Sequence, residues 1–259
     1  MPRAKKAEST QEPPVEIAAE TAPAAEEHHE GPFTLCIDIG GTGLKVIVVD
    51  AKGEPMCERQ RIPTPRPATP QAVLSALGSL LDKVPAFDRV SAGFPGVVVD
   101  NTTLRAPNLD AGWEGFALGD ALTQLTKKPA RVINDAGVQG YGVVEGRGVE
   151  MVITLGTGMG CALFLDGRYV PNLELAHHPF KKGKTYEQRV GNKAFESIGK
   201  RRWRRRVHQV IKQVLPIWNP RALYLGGGNA RHLKKDELPS NVKIVENIAG
   251  LLGGIALWR

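Results

Sequence analysis

Leu35-Cys-Ile-Asp-Ile-Gly-Gly-Thr-Gly-Leu-Lys-Val-Ile-Val-Val-Asp50 decides how the chain is read. Two apolar, β-branched runs flank Gly40, Gly41, Thr42 and Gly43. Such runs read as buried strands, and the glycines between them as a tight turn. A dinucleotide-binding fingerprint or a P-loop needs a helix after its glycines, and residues 46–49 are a poor helix start. The stretch is therefore predicted to be a β-hairpin. Residues without a Cβ let backbone N–H groups converge on an anion, and Thr42 adds a hydroxyl donor. Asp38 ends the first strand at the same place, where it could hold a metal through water. Lys45 could supply a positive charge. An ordinary hairpin turn would look the same in one such stretch.

A second copy weighs against that. Met151-Val-Ile-Thr-Leu-Gly-Thr-Gly-Met-Gly-Cys-Ala-Leu-Phe-Leu165 repeats the grammar, with Gly156, Thr157, Gly158 and Gly160 between apolar runs. Asp166-Gly167 then makes a hairpin turn. Two such hairpins imply a duplicated fold with two phosphate-holding loops facing one cleft. Asp38-Ile-Gly-Gly-Thr42 and Leu155-Gly-Thr-Gly158 resemble the two phosphate motifs of the sugar kinase, heat-shock ATPase and actin superfamily. The resemblance implies an α/β fold of two ribonuclease-H-like lobes with a cleft between them. It places residues 33–133 in the first lobe, completed by 249–259, and residues 134–248 in the second.

Hydrophobic content of 42% and charged content of 24% are ordinary for a globular protein. At 259 residues there is enough chain for a substantial core. No apolar run approaches the ~20 residues of a membrane span, and no secretory h-region is visible. Cys36, Cys57 and Cys161 are isolated in apolar runs and read as reduced, buried residues, which fits a cytoplasmic protein. The net charge of +7 is uneven. Residues 1–32 carry −4 and the rest +11. A basic body implies an anionic partner. The Ala/Glu/Pro-rich residues 1–32 are expected to be a disordered tail.

Along the chain, residues 57–62 read as a third strand. Thr69 caps a helix with Pro70 at its first position and an apolar stripe of Val73, Leu77, Leu80 and Val84. Residues 89–92 are a strand ending in Gly93-Phe-Pro-Gly-Val97. Residues 116–126 read as a helix and 130–133 as a short strand that delivers Asn134-Asp135. Polar residues at the carboxyl end of a buried strand sit where open α/β sheets bind ligands; a plain helix cap reads the same way. Arg221-Ala-Leu-Tyr-Leu-Gly-Gly-Gly-Asn229 reads as a strand ending in a glycine turn, 242–245 as a last strand, and 249–258 as a closing helix.

Several motifs narrow the resemblance to ROK-type sugar kinases. Arg105-Ala-Pro-Asn108 followed by Trp113 resembles the family's Pro-Asn-Leu…Trp segment, with Asn108 toward the sugar and Trp113 read as packing. Glu174-Leu-Ala-His177 resembles its Glu-x-Gly-His signature, with Ala176 in place of Gly. The family's zinc-binding cysteines are absent; that region here is Lys181-Lys-Gly-Lys-Thr-Tyr-Glu187, which is similar to the polyphosphate glucokinase branch. The resemblance makes Asp135 the general base. It assigns Asn108, Asn134, Asp135, Glu174, His177 and Glu187 to the sugar. Gly40, Gly41, Thr42, Gly43, Lys45, Gly156, Thr157 and Gly158 go to phosphate, and Gly226, Gly227 and Gly228 to the nucleotide side. It implies Mg²⁺, with Asp38 as its carboxylate.

Residues 181–212 carry 12 Lys and Arg against Glu187 and Glu196. Trp203, Val207, Val210, Ile211 and Val214 form a helical apolar stripe, with arginines on the remaining face. A solvated face would mix signs, and a membrane-surface helix is the weaker reading. The expectation is a polyphosphate track of Lys181, Lys182, Lys184, Lys200, Arg201, Arg204 and Arg205. The expected reaction is phosphoryl transfer from inorganic polyphosphate to the 6-hydroxyl of glucose, with ATP as a second donor, by a homodimer free of membrane and nucleic acid. The alternatives are a strictly ATP-dependent ROK glucokinase and, from another class, a sugar-responsive nucleic-acid-binding regulator.

Overall fold

The computed structural model describes residues 29–106, 109–245 and 253–259. The expected tail, apart from residues 29–32, and Asn108 lie outside the described residues.

The opening stretch is a hairpin. β1 (Thr34–Ile39) pairs antiparallel with β2 (Leu44–Val49), in a register that sets Asp38 opposite Lys45. β3 (Gln60–Ile62) adds antiparallel to β2. It is shorter than expected, because the chain pairs early, at Val49 with Pro55, and rejoins the sheet only at Gln60. Helix α1 (Pro70–Leu81) starts as predicted, with the Thr69 hydroxyl accepting from the Ala72 N–H. It ends before Val84, which packs on the core from the following loop.

β4 (Arg89–Phe94) runs parallel to β1. A small hairpin follows, β5 (Val97–Val99) and β6 (Thr102–Arg105). Phe116 is held in a bridge to Thr103, so helix α2 (Leu118–Thr126) begins two residues later than its pattern suggests. β7 (Ala130–Asn134) runs parallel to β4 and completes a sheet of order β3-β2-β1-β4-β7.

Helix α3 (Asp135–Tyr141) leads into the second sheet. β8 (Val149–Leu155), β9 (Met159–Leu165) and β10 (Arg168–Val170) form an antiparallel meander. The short ribbon β11 (Pro179–Lys181) and β12 (Lys184–Thr185) precedes α4 (Tyr186–Val190) and the long α5 (Asn192–Trp218). α5 is interrupted at Gly199, whose φ of 73° is outside helical space. β13 (Ala222–Gly226) and β14 (Val242–Ile244) then add parallel strands, giving the order β10-β9-β8-β13-β14. Each sheet is thus three meander strands plus two parallel ones, and the sequence-level duplication is a duplication of topology.

Alternation decides which core each residue joins. In β1, Leu35, Ile37 and Ile39 face α1 and α2, while Cys36 faces Ile47, Val49 and Ile255. In β8, Met151, Ile153 and Leu155 face the α5 stripe, while Val152 faces Ala136 of α3. All five α5 stripe residues are buried as predicted. Cys36 and Cys161 are buried, Cys57 is half-buried, and all three are free thiols.

α3 contacts β4 and β7 of one sheet and β8 and β9 of the other. Its glycines, unexpected in a helix, are explained by that position. A Cβ on Gly140 would lie 2.3 Å from the Phe164 ring, and one on Gly137 2.9 Å from Tyr169. The final segment, a 3-10 helix over Gly253–Trp258, returns to the first sheet as expected of the closing helix. Ser91 Oγ donates to the Gly254 carbonyl and accepts from Trp258 Nε1. Residues 249–252 of that predicted helix lie outside the described set.

Candidate active site

A cavity of about 500 Å³ lies at the carboxyl ends of β1, β4 and β7 and is closed from the other side by the β8–β9 hairpin and the turn after β13. The expected phosphate loops both line it: Gly40, Gly41, Thr42 and Gly43 from one hairpin, Gly156, Thr157 and Gly158 from the other. The loops close alike. Gly40 N–H donates to the Gly43 carbonyl, and Gly156 N–H to the Gly158 carbonyl, each at 3.0 Å. Thr64 Oγ1 and Arg66 Nη2 brace the first loop by donating to the Gly40 and Gly41 carbonyls. Asn192 N–H braces the second through the Gly156 and Thr157 carbonyls.

Asp135 is the first residue of α3, directly after the β7 strand end. Asn134 caps the helix, its Oδ1 accepting from the Ala136 N–H at 2.9 Å. Asn134 Nδ2 donates to the Gly96 carbonyl at 3.1 Å, which ties the cap to the Gly93–Gly96 loop and leaves one amide hydrogen for a ligand. Asp135 Oδ1 accepts from the Ala136 N–H at 2.8 Å. Burial first, and then the Asp38 and Glu174 carboxylates, push the Asp135 carboxyl up to about 7 against the pull of the Ala136 N–H and Lys45. A carboxyl poised there exchanges protons near neutrality.

Beside Asp135 the cavity is lined by Glu174, His177 and Glu187. His177 Nε2 lies 3.5 Å from Glu174 Oε2. Burial raises the Glu174 carboxyl above its ordinary range, with His177 opposing it and Glu187 adding to it. Ala176, at the position where a glycine was expected, is buried and lines the same wall. Glu187 Oε2 accepts from the Met159 N–H at 3.2 Å, so this acid side chain is fastened to the second loop. Trp113 is packing, as read: it is fully buried, packs at a tilt against Phe94 and donates from Nε1 to the Ala68 carbonyl.

Asp38 and Lys45 both face the cavity, and they form an ion pair of 2.6 Å between Oδ2 and Nζ. Lys45 is therefore shared between Asp38 and any anion in the loop. Gly227 and Gly228 line the cavity, whereas Gly226 is buried in β13 and does not.

The expected track is not part of this cavity. None of Lys181, Lys182, Lys184, Lys200, Arg201, Arg204 and Arg205 lines it. The three lysines are exposed on the β11–β12 ribbon and the turn leading to it. The α5 stripe is buried against the second sheet, which turns the helix's cations to its outer side. There Arg204 lies 3.9 Å from Glu237. The cations that do line the cavity besides Lys45 are Arg59 and Arg61. No motif singled them out: Arg61 is on β3, opposite Lys45, and Arg59 lies just before that strand. Gln139, Thr154, Asn192 and Asn229 are further lining residues that no motif singled out.

Among the described residues no group of three or more His, Cys, Asp and Glu side chains could hold a metal, and no helix is long and apolar enough to cross a membrane.

The chain matches the model of the ROK family over residues 34–171. A polyphosphate glucokinase of Mycobacterium tuberculosis is 30% identical over 236 residues, covering 84% of this chain and 88% of that protein. A polyphosphate glucokinase of Mycobacterium leprae is 29% identical over 259 residues, covering 93% and 76%. Among solved structures, an inorganic polyphosphate/ATP-glucomannokinase from Arthrobacter sp. strain KM superposes with a TM-score of 0.80 at 32% identity, covering 88% of this chain and 100% of that one. The fold is accordingly the two-lobed, ribonuclease-H-like α/β fold of the actin-like ATPases, with two glycine hairpins facing one cleft. The family model spans more than half of the chain, and the full-length likenesses agree with it: the chain belongs to the ROK family.

Proposed function

We propose that the protein is a polyphosphate glucokinase, moving a phosphoryl group from the end of inorganic polyphosphate to the 6-hydroxyl of glucose, with ATP as a second donor. One observation carries the reading: Asp135, its carboxyl raised to about 7, lies between the two glycine hairpins and the wall of Glu174, His177 and Glu187. The names of the mycobacterial relatives and of the Arthrobacter enzyme support the choice of donor and sugar.

In this reading Glu174, His177 and Glu187 hold sugar hydroxyls, with Asn134 contributing its remaining amide hydrogen and Asn108 a further contact. The 6-hydroxyl then points at Asp135, which accepts its proton as the oxygen attacks the terminal phosphorus. The new O–P bond forms as the bridging P–O bond breaks, and the polymer leaves one phosphate shorter. N–H groups of the two hairpin loops hold the transferring group in line, and the Gly227 and Gly228 turn receives the nucleoside when ATP is the donor. Mg²⁺, when bound, neutralises charge on the phosphoryl oxygens. Asp38 fits it: Mg²⁺ takes one or two carboxylates and fills its other positions with water and substrate phosphate, so no cage of protein ligands is required. Closure of the lobes excludes water as a competing acceptor. We extend the homodimer expected from the sequence to this proposal.

The test is phosphorylated-sugar formation from glucose with polyphosphate or ATP as sole donor. Turnover with polyphosphate supports the reading. Turnover with ATP alone replaces it with an ATP-dependent sugar kinase.

A further inference from the structure

The cavity is electrically divided. One group of lining residues is Asp135, Glu174 and Glu187, with His177 beside Glu174. The charges acting on Asp135 are Asp38, Glu174 and Lys45, and those acting on Glu174 are His177, Glu187 and Arg105. A neutral sugar suits that group; a polyanion does not. The other cations of the lining, Arg59 and Arg61, come from β3 and the residues just before it. β3 is the edge strand of the first sheet, three strands removed from β4 and four from β7. Arg61 sits opposite Lys45 across the β2–β3 pair, and its Nε lies 3.1 Å from where a Cβ of Gly43 would be. The guanidinium thus lies over the first phosphate loop and occupies the space a side chain there would need. Both arginines are exposed, and among the described residues neither has a carboxylate within ion-pair distance. That contrasts with Lys45, held by Asp38, and Arg204, beside Glu237. Arg66, which braces the Gly41 carbonyl at 2.8 Å, extends the same edge.

We propose that Arg59 and Arg61 bind the donor's phosphate chain as it leaves the transfer site, so that polyphosphate runs out of the cavity across β2 and β3 and not along α5. The inference rests on the polyphosphate reading and names its donor subsite. A planar guanidinium takes two phosphate oxygens at once, and two of them, one on the edge strand and one just before it, can meet successive units of an extended chain. A side chain at Gly43 would crowd the Arg61 guanidinium and shift it relative to the loop.

The experiment compares Arg59→Gln/Arg61→Gln with Arg201→Gln/Arg204→Gln/Arg205→Gln, using long-chain polyphosphate and following KM against salt. The expected result is a polyphosphate KM raised about tenfold or more in the β3 variant, with its salt dependence flattened by about two logarithmic slope units, one per lost contact. The glucose KM holds, and Arg59→Lys/Arg61→Lys keeps most of the salt dependence because it keeps the charge. Thermal melting of each variant confirms folding, which the exposure of both side chains favours. An unchanged polyphosphate KM in the β3 variant of an enzyme that does use polyphosphate overturns this inference alone. A tenfold loss confined to the α5 variant overturns it in favour of the helix. No polyphosphate-driven turnover by the unaltered protein overturns the donor reading itself, and the inference with it.

Discussion

In the proposed reaction Asp135 is the residue on which the chemistry turns. Its carboxyl is raised to about 7 by burial and by Asp38. The base form therefore predominates only above that value, and kcat/KM is expected to fall as pH drops through an apparent pKa near it. Asp135→Asn keeps the shape and removes the base; kcat is expected to drop by ~10²–10⁴-fold while glucose still binds. The same shift has a consequence for stability. A carboxyl whose folded pKa is raised favours folding when protonated, and that contribution is lost as pH rises through the folded value. The melting temperature of Asp135→Asn should thus exceed that of the unaltered protein by a margin that grows from about pH 4 to about pH 8. A margin independent of pH would contradict the environment described for this carboxyl. Glu187 offers a second residue-scale test. A Cβ on Gly158 would lie 2.1 Å from Glu187 Oε2, the flexible end of that side chain. Gly158→Ala is expected to push Glu187 aside, raising the glucose KM with little change in melting temperature. A collapse in stability with the glucose KM unchanged would show that Glu187 does not reach the sugar. Glu174→Ala and His177→Ala should each weaken glucose binding by about 1–3 kcal/mol with either donor, the cost of a sugar hydroxyl left unpaired.

At the level of elements, the hairpins were legible because glycines between β-branched runs admit little else. The α5 stripe was legible because its period is helical and its residues are large. What the sequence hid is where the opposite face of α5 points. Charge counts carry no direction, so twelve cations looked like a track although none of the seven assigned to it reaches the cavity. Arg59 and Arg61 are hidden for the converse reason: two arginines in and just before a three-residue strand are inconspicuous until the register sets one opposite Lys45. The reason for the glycines of α3 is not legible in the sequence, because their partners, Tyr169 and Phe164, come from the second sheet, later in the chain. They give a direct test of how tightly α3 is seated. Gly140→Ala forces a methyl into the Phe164 ring and is expected to cost about 1–3 kcal/mol of stability by overpacking, despite the better helix propensity of alanine. A stabilised variant would mean that α3 is not clamped between the sheets.

Across the whole molecule, the two sheets share one topology and meet at α3, so the proposed base, Asp135, stands on the element that contacts both sheets. The C-terminal segment reinforces that junction. Trp258 stacks under the Arg131 guanidinium at 4.4 Å and bonds to Ser91, and Ile255 fills the face of β1 and β2 opposite α1. In the proposed reaction this cleft delivers the terminal phosphoryl of polyphosphate to one sugar oxygen, with Asp135 taking the proton. Phosphorus NMR of the unaltered protein with Mg²⁺, glucose and polyphosphate as sole donor tests it most directly. The account predicts that a glucose 6-phosphate resonance grows in step with the phosphate lost from the polymer, and that 6-deoxyglucose yields no phosphorylated sugar. Release of orthophosphate alone, phosphate on another hydroxyl, or no consumption of polyphosphate would contradict it.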